Sequence, residues 1–369
     1  MKKQSFSDQV IAWQKLDGRN HLPWQKNPSK YRVWVSEVML QQTQVATVLK
    51  YYDRFILRFP DVKILAGTPL DEVLNKWSGL GYYRRATLMH KAAQMIINNL
   101  DGRIPTSVEE LMKLPGIGRS TAGAIVSLSL NKKAVILDAN VKKILIRFHG
   151  IKSALNEKGI EKKLWELAGQ SLPDKEFRCY NQGLMDLGAT ICFKSTPKCE
   201  MCPLHSSCRA RIEDITEMIP KKIKSKPPIK VLLRYTMFLN QKNQVLLIKQ
   251  KENQLWSGLW HLPESKNRTQ TLKCAKGMSL DLLTEQVMTP FKYKVSNKEC
   301  HVEVTVVKTR QEKLIPQKNG NIWCDLLEIT NLGTSSLVRK IVSKMTNELL
   351  GKEREFGKTT DMCKNWRRD

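Results

Sequence analysis

Nowhere in the 369 residues does an apolar run approach the roughly 18 residues that a membrane-spanning helix requires. The opening stretch, Met1 to Asp8, is polar and lacks the apolar core of a secretory leader. Together these absences predict a chain of the cytoplasm or another reducing compartment, with no membrane partner. No internal repeat is visible. Acidic residues are in short supply: 35 Asp and Glu face 62 Lys and Arg, a formal net charge of +27. A field of that sign suits a polyanion, with nucleic acid the leading candidate. Charge alone leaves open a basic soluble protein without such a partner.

The length favours two domains, each able to bury its own core. Residues 1 to about 217 read as helical. Val45, Val48, Leu49, Tyr52, Phe55 and Ile56 recur at helical spacing. Thr68 before Pro69 suits a cap and first helical position, Ser107 with Glu110 fits a capping box, and Gly150 closes a helix from about Asn140 to Phe148. Between Pro220 and Lys230 stand three prolines and five lysines, from which no core can be built; 218–230 reads as an extended linker. Cutting there is expected to leave a self-sufficient helical region. Beyond it the pattern becomes strand-like. Val231–Leu239 and Val245–Lys249 flank a polar turn, Val302, Val304 and Val306 alternate with polar residues, and Ser335–Leu350 has the spacing of one amphipathic helix. The second domain, 231–350, is therefore expected to be α+β, followed by a charged tail, 351–369.

Four of the nine cysteines crowd together as Cys192-x6-Cys199-x2-Cys202-x5-Cys208. In a reducing compartment such clustering favours metal over disulfide. A structural zinc site usually shows two CxxC knuckles or mixed Cys and His ligands, and only one CxxC is present. Four thiolates on a compact irregular loop suit a cubane [4Fe–4S] cluster, with zinc or free thiols as alternatives. Lys194, Lys198 and Arg209 fit a loop that also meets phosphates, or ordinary solvated charge.

Leu114-Pro-Gly-Ile-Gly-Arg-Ser120 precedes a helical run, Thr121 to Leu130. Gly116 and Gly118 allow a tight hairpin with exposed N–H groups, and the helix start that follows can hold a phosphate; a plain helix–helix turn would look alike. About twenty residues later Val135-Ile-Leu-Asp138-Ala-Asn140 places an acid at the opening of the next helix, where it could simply cap.

The hairpin, the later Asp and the four cysteines together resemble the helix-hairpin-helix glycosylases of the endonuclease III superfamily, over about residues 25 to 210. Leu22-Pro-Trp24, Trp34-Val-Ser-Glu37-Val-Met-Leu-Gln-Gln-Thr43 and Trp77-Ser-Gly-Leu-Gly-Tyr-Tyr-Arg-Arg85 look like the adenine DNA glycosylases of the MutY family. The resemblance implies a mainly α catalytic region of two helical modules with an iron–sulfur loop, plus a C-terminal α+β Nudix-like domain. It implies Glu37 as the acid that protonates departing adenine, Asp138 as the carboxylate that stabilises an oxocarbenium-like sugar, and Asn140 as the residue that orients water or Asp138. An acid kept neutral by burial can hold such a proton near pH 7, and two carboxylates in separate roles parallel O-glycosidases. The target base must be flipped from the duplex. Gln42 and Tyr82 would wedge beside the orphan base with Leu40 nearby at the DNA, Gly116, Gly118 and Ser120 would meet the DNA backbone, and Trp24 would line the base pocket. The plain readings are a surface amide at Gln42, a core aromatic at Tyr82 and a structural Trp24. Ser120 stands where strand-cleaving relatives carry a Schiff-base lysine, so the resemblance implies a monofunctional hydrolase that leaves an abasic site. The resemblance implies duplex DNA with an adenine mismatch as the partner, and a monomer is expected.

Gly258-Leu-Trp-His-Leu-Pro-Glu264 opens a Nudix box that its remaining acids do not complete, so no Mg²⁺ site for pyrophosphate hydrolysis is expected. By resemblance this domain reads 8-oxoguanine on the opposite strand, through a loop that usually carries Phe-Ser-His. Here Phe291-Lys-Tyr-Lys-Val295-Ser296-Asn297 keeps Ser296 but departs at Val295 and Asn297, and Tyr293 stands where relatives often have His. Ala139 replaces a common Gly. An endonuclease III-like lyase for oxidised pyrimidines and a DNA-binding protein without catalysis are the competing readings. Ser120, Glu37 and the second domain oppose the first, and retention of Glu37 with Asp138 opposes the second.

Overall fold

The computed structural model of the chain describes residues 5–221, 227–251, 255–310 and 320–347. Of the expected linker, 222–226 lie outside the described residues, as does the expected tail. The polypeptide gathers into two units whose division is not collinear with the chain: residues 1–68 with 85–225, and residues 69–84 with 226–369. Among the described residues no helix is long and apolar enough to cross a membrane.

The first unit is helical. Its opening helix, Phe6–Asp17, starts on a capping box: Ser5 Oγ accepts from the Asp8 N–H, and the Asp8 carboxylate accepts from the Ser5 N–H. In Val45–Arg58 the buried stripe is Val48, Tyr52, Phe55 and Ile56. Leu49, one residue and about 100° round from Val48, falls off that stripe and is 39% exposed. Thr68 does not cap forwards as expected. Its hydroxyl donates back to the Ile64 carbonyl at 2.7 Å, and Pro69 occupies the cap of Leu70–Trp77. Ser107 caps the short helix Val108–Leu111 by accepting from the Glu110 N–H at 3.3 Å.

Helix Lys30–Leu40 is buried on nearly all sides, through Tyr31, Val33, Trp34, Val35, Ser36, Val38 and Met39. Such a helix belongs to the centre of a bundle, and an acid placed on it loses water. A second apolar cluster joins Phe6–Asp17, Ala139–Phe148 and Phe177–Thr190 with Leu204 and Ala210 of the cysteine segment. The expected run from Thr121 to Leu130 begins earlier, as Arg119–Ala124, and widens into a buried π-helical stretch, Ile125–Ser129. Such widenings often accompany functional sites.

Among the described residues the second unit holds a seven-stranded sheet: β1 (Ile229–Leu239), β2 (Gln244–Lys249), β3 (Trp260–His261), β4 (Leu282–Val287), β5 (Phe291–Val295), β6 (Lys298–Thr309) and β7 (Asn321–Asp325). The order is β3-β2-β1-β6-β4, with β5 also on β6 and β7 on β2. β1 and β6 pair in parallel and the other pairs are antiparallel. Successive side chains of a strand face opposite ways. Tyr235, Met237 and Leu239 therefore meet Leu337, Val338 and Ile341 of the helix 336–347 on one face. Phe238 and Leu246 meet Ala275 of the helix Arg268–Gly277 on the other. Val302 and Val304 are buried, but Val306 is only half-buried and Val307 takes over, because the far end of β6 is packed on both faces. The stretch expected as a loop at 291–295 is strand β5. Residues 348–350 of the expected final helix lie outside the described residues.

Candidate active site and cysteine centre

Glu37 projects from the crowded helix Lys30–Leu40. The residue keeps partial exposure, but protein surrounds its carboxyl. That burial pushes its pKa up to about 8, and the nearby charge of Asp138 adds to the shift. Asp138 caps Ala139–Phe148, as its position before that helix suggested. Its Oδ1 accepts from the Val141 N–H at 2.8 Å, and its Oδ2 from the Asn140 side-chain amide at 3.3 Å. Burial raises the Asp138 pKa, while these donors and the Lys143 cation oppose the rise. The two carboxyls thus differ by environment: one in a site that keeps it protonated, the other on a helix N-terminus whose N–H groups favour the anion.

Local backbone features bring these acids together. Gly123, in Arg119–Ala124, lies so close to the segment before Asp138 that a Cβ there would stand 2.0 Å from the Val135 carbonyl oxygen. No side chain fits this position. Ser120 Oγ accepts from the Leu137 N–H at 3.1 Å, tying the hairpin helix to the residue just before Asp138. Gly116 takes φ +80°, which glycine adopts without steric cost. Gly118 is extended and caps Arg119–Ala124, with nothing within 4 Å of where its Cβ would be. Beyond Glu37 the helix is held by Arg85, which sequence reasoning assigned no role. Its guanidinium donates to the carbonyls of Val38, Met39 and Gln41, at 2.8, 2.8 and 2.5 Å, and to Thr43 Oγ1 at 3.1 Å. Cations suit these orphan carbonyls.

A cavity of about 330 Å³ is lined by Trp24, Val33, Ser36, Leu128 and Gln182, among others. Val33 lies one turn before Glu37 on the same helix. Trp24 is 6% exposed and packs edge-to-face on Tyr52 at 5.3 Å, so it both supports the core and faces the cavity. Gln182 and the buried Asp186 next to it were not singled out in the sequence. Asp186 accepts from Arg19 Nε at 2.9 Å, from Arg19 Nη2 at 2.6 Å and from Gln182 Nε2 at 3.0 Å. Their i, i+4 spacing on Phe177–Thr190 was the available signal.

Leu40 ends its helix half-buried, and Gln42 follows, exposed, with φ +54°. Tyr82 is 50% exposed with φ +48°. Ser296, exposed with φ +52°, begins the two-residue turn between β5 and β6. Non-glycine residues in this region are uncommon and cluster at functional sites. Tyr82 and Ser296 belong to the second unit, and Glu37, Asp138 and Gln42 to the first.

Cys192, Cys199, Cys202 and Cys208 line one small cavity with Arg147, His205 and Arg211. Among the described residues no three His, Cys, Asp or Glu side chains close on a point that one metal ion could occupy. Thiols spread around a void fit a polynuclear cluster, in which each thiolate binds its own iron. Burial raises the pKa values of Cys199, Cys202 and Cys208, that of Cys202 to about 12, and the neighbouring thiols add to each rise. Ionising them together, as binding to iron would require, would call for a compensating cation. Arg147, 2% exposed and missed in the sequence, donates to Cys192 Sγ at 3.2 Å and to the Phe193 and Lys194 carbonyls at 2.6 and 3.0 Å. It lies on the helix that Asp138 caps, so one helix serves both centres. Lys194, Lys198 and Arg209 are exposed.

Residues 35–170 match the profile of the HhH-GPD superfamily of base excision DNA repair proteins, and residues 234–344 match that of a NUDIX domain. Fold and site therefore define a base excision DNA repair protein built from these two parts. An adenine DNA glycosylase of Buchnera aphidicola subsp. Acyrthosiphon pisum is 39% identical over 351 residues, 95% of this chain and 100% of that protein. The human adenine DNA glycosylase is 38% identical over 216 residues, 56% of this chain and 39% of that protein. The solved structure of a thermostable thymine-DNA glycosylase, 31% identical, covers 56% of this chain and 95% of its own at a TM-score of 0.52. The chain belongs to the adenine DNA glycosylase family.

Proposed function

We propose that the chain removes adenine mispaired with 8-oxoguanine or guanine in duplex DNA, as a monofunctional base excision repair hydrolase of the cytoplasm. The observation that carries this reading is the pair Glu37 and Asp138. They are close enough to repel, and Glu37 is held protonated up to about pH 8. The flipped base occupies the cavity beside Trp24, Val33 and Gln182. Glu37 gives its proton to N7, so that adenine leaves as a neutral molecule. Ionised Asp138 faces the positive charge that develops on the sugar, and Asn140 holds that carboxylate in place. Water then completes the sugar, leaving an abasic site. Ser120 offers no amine, and its hydroxyl is engaged with Leu137; strand cleavage through a Schiff base is not part of this chemistry.

The four cysteines hold a [4Fe–4S] cluster that keeps their loop in shape. The loop's exposed cations and the Gly116–Ser120 hairpin grip phosphates, Leu40, Gln42 and Tyr82 fill the vacated stack, and Ser296 contacts the damaged guanine. We read the domains as residues 1–217 for excision and 231–350 for lesion recognition.

Single-turnover excision from duplexes with adenine opposite 8-oxoguanine tests the acid pair. Glu37→Gln and Asp138→Asn are each expected to lower the rate at least about a hundredfold, the lower range for acid–base catalysis. Duplex binding should persist, because phosphate contacts carry much of the affinity. Products should appear as nicks only after hot alkali. A near-normal rate in either variant, or efficient borohydride trapping of a covalent complex, would overturn the mechanism.

A further inference from the structure

The segment 69–84, which ends in Tyr82-Tyr83-Arg84, groups with the sheet-bearing unit and not with the helices that flank it in sequence. The loop after Leu70–Trp77 is tightly wound: Gly79, Gly81 and Tyr82 all take positive φ, +100°, +74° and +48°. Trp77 Nε1 closes it locally by donating to the Gly81 carbonyl at 3.1 Å. The remaining support comes from far along the chain. Ser78 Oγ and Tyr83 Oη both donate to the carbonyl of Thr334, at 3.3 and 3.2 Å. A carbonyl has two lone pairs and can accept both. Tyr83 Oη also accepts from the Gly79 N–H at 3.4 Å.

Thr334 is itself held firmly. It is fully buried and forms a bridge with Trp260 of β3, and its hydroxyl accepts from Arg339 Nε at 3.1 Å. The Trp260 N–H donates to the Gly333 carbonyl at 2.9 Å. Further along the same segment, Asn75 donates to the Asn331 carbonyl and Asp71 pairs with Lys249. Ser78 and Tyr83 are buried, while Tyr82 between them is half exposed.

We propose that the C-terminal unit sets the pose of Tyr82 through the Thr334 carbonyl, so that the lesion-reading domain also prepares the wedge used in base extrusion. This rests on the reading of Tyr82 as a residue that enters the duplex. A left-handed tyrosine is costly unless its surroundings over-determine it, and the two hydroxyls flanking Tyr82 supply that constraint. Ser78 and Tyr83 are then positioning residues.

The test uses the full chain with the double substitution Ser78→Ala, Tyr83→Phe, alongside Tyr82→Ala and the triple variant. Amide hydrogen exchange at 79–83 reads the brace without DNA. Fluorescence of 2-aminopurine at the target position of a duplex reads extrusion. Two lost hydrogen bonds, each worth about fivefold in an opening equilibrium, should accelerate exchange by about tenfold or more. Extrusion should fall about tenfold in the double variant, and the triple variant should be no worse than Tyr82→Ala. Unchanged exchange overturns the brace. Full additivity, or normal extrusion in the double variant while Tyr82→Ala is impaired, overturns the link from brace to wedge. Normal extrusion in Tyr82→Ala instead overturns the reading of Tyr82 as a wedge, and the proposal falls with it; a failed brace is told apart from this by the exchange data alone.

Discussion

A buried acid carries opposite consequences for catalysis and stability, and Glu37 illustrates both. Its folded-state pKa of about 8 lies above the ordinary carboxylate value of 4.5. Below the ordinary value, folded and unfolded chains both hold the proton. As pH rises the unfolded chain releases it first, so the stabilising contribution declines until the folded chain also ionises near pH 8. Glu37→Gln, neutral at every pH, should therefore gain melting temperature relative to the parent as pH rises from 5 to about 8, while losing activity. Parent excision should fall above about pH 8 as Glu37 loses its proton, and on the acid side as Asp138 is protonated, above the usual carboxylate range. A flat rate between pH 7 and 9.5 would contradict the assigned acid. The acids were legible in the sequence only within a matched segment, since a lone helical Glu is ordinarily a surface charge. What sets Glu37 apart is the all-round burial of its helix, which depends on partners distant in the chain.

The cysteine loop is built as an element, not as four separate thiols. Cys192 follows Ile191, the C-cap of Phe177–Thr190, Cys199 opens a 3₁₀ turn, and Cys208 caps Arg209–Ile212. Leu204 and Ala210 seat the loop on the core beneath Ala139–Phe148. Purified protein is expected to be yellow-brown with about four irons per chain, and Cys202→Ser should lower iron content and thermal stability together. Stoichiometric zinc from an anaerobic preparation would sink the assignment. The cysteine spacing was readable at a glance. Arg147 was not, because an arginine on the buried phase of a helix gains its meaning only when the carbonyls of Phe193, Lys194 and Ile219 and the Cys192 sulfur converge on it from outside that helix.

At the scale of the whole molecule, the helix Leu70–Trp77 alters the simple picture of two successive domains. Val73, Leu74 and Trp77 are fully buried, and Asn75 and Asp71 are partnered from the C-terminal unit. A chain ended within 218–230 therefore loses packing and hydrogen bonds around 69–84 as well as the lesion contact proposed for Ser296. We expect it to melt roughly 5 °C or more lower, since one lost hydrogen bond amounts to about 1 kcal/mol. The ratio of excision rates opposite 8-oxoguanine and opposite guanine should also fall. An unchanged melt together with an unchanged ratio would refute both expectations. Ser296→Ala, which removes a single exposed hydroxyl, should change the ratio less than truncation does.

The sequence by itself determined what is local: helices from apolar spacing and caps, the alternation of β6 through Val302 and Val304, the cysteine register, and the positions of Glu37, Asp138 and the Gly116–Ser120 hairpin. Each of these depends on interactions within a few residues or on motifs preserved as a block. Tertiary structure alone decided that Glu37 and Asp138 come close enough to repel and that the Tyr82 loop hangs on Thr334, whereas the bond from Thr68 back to Ile64 and the pairing of 291–295 with 298–302 are local contacts that the sequence pattern did not reveal. The first two of these outcomes join groups about 100 and 256 residues apart in the chain. Side-chain patterns carry no record of such pairings, because a carbonyl oxygen is the same at every position in a sequence.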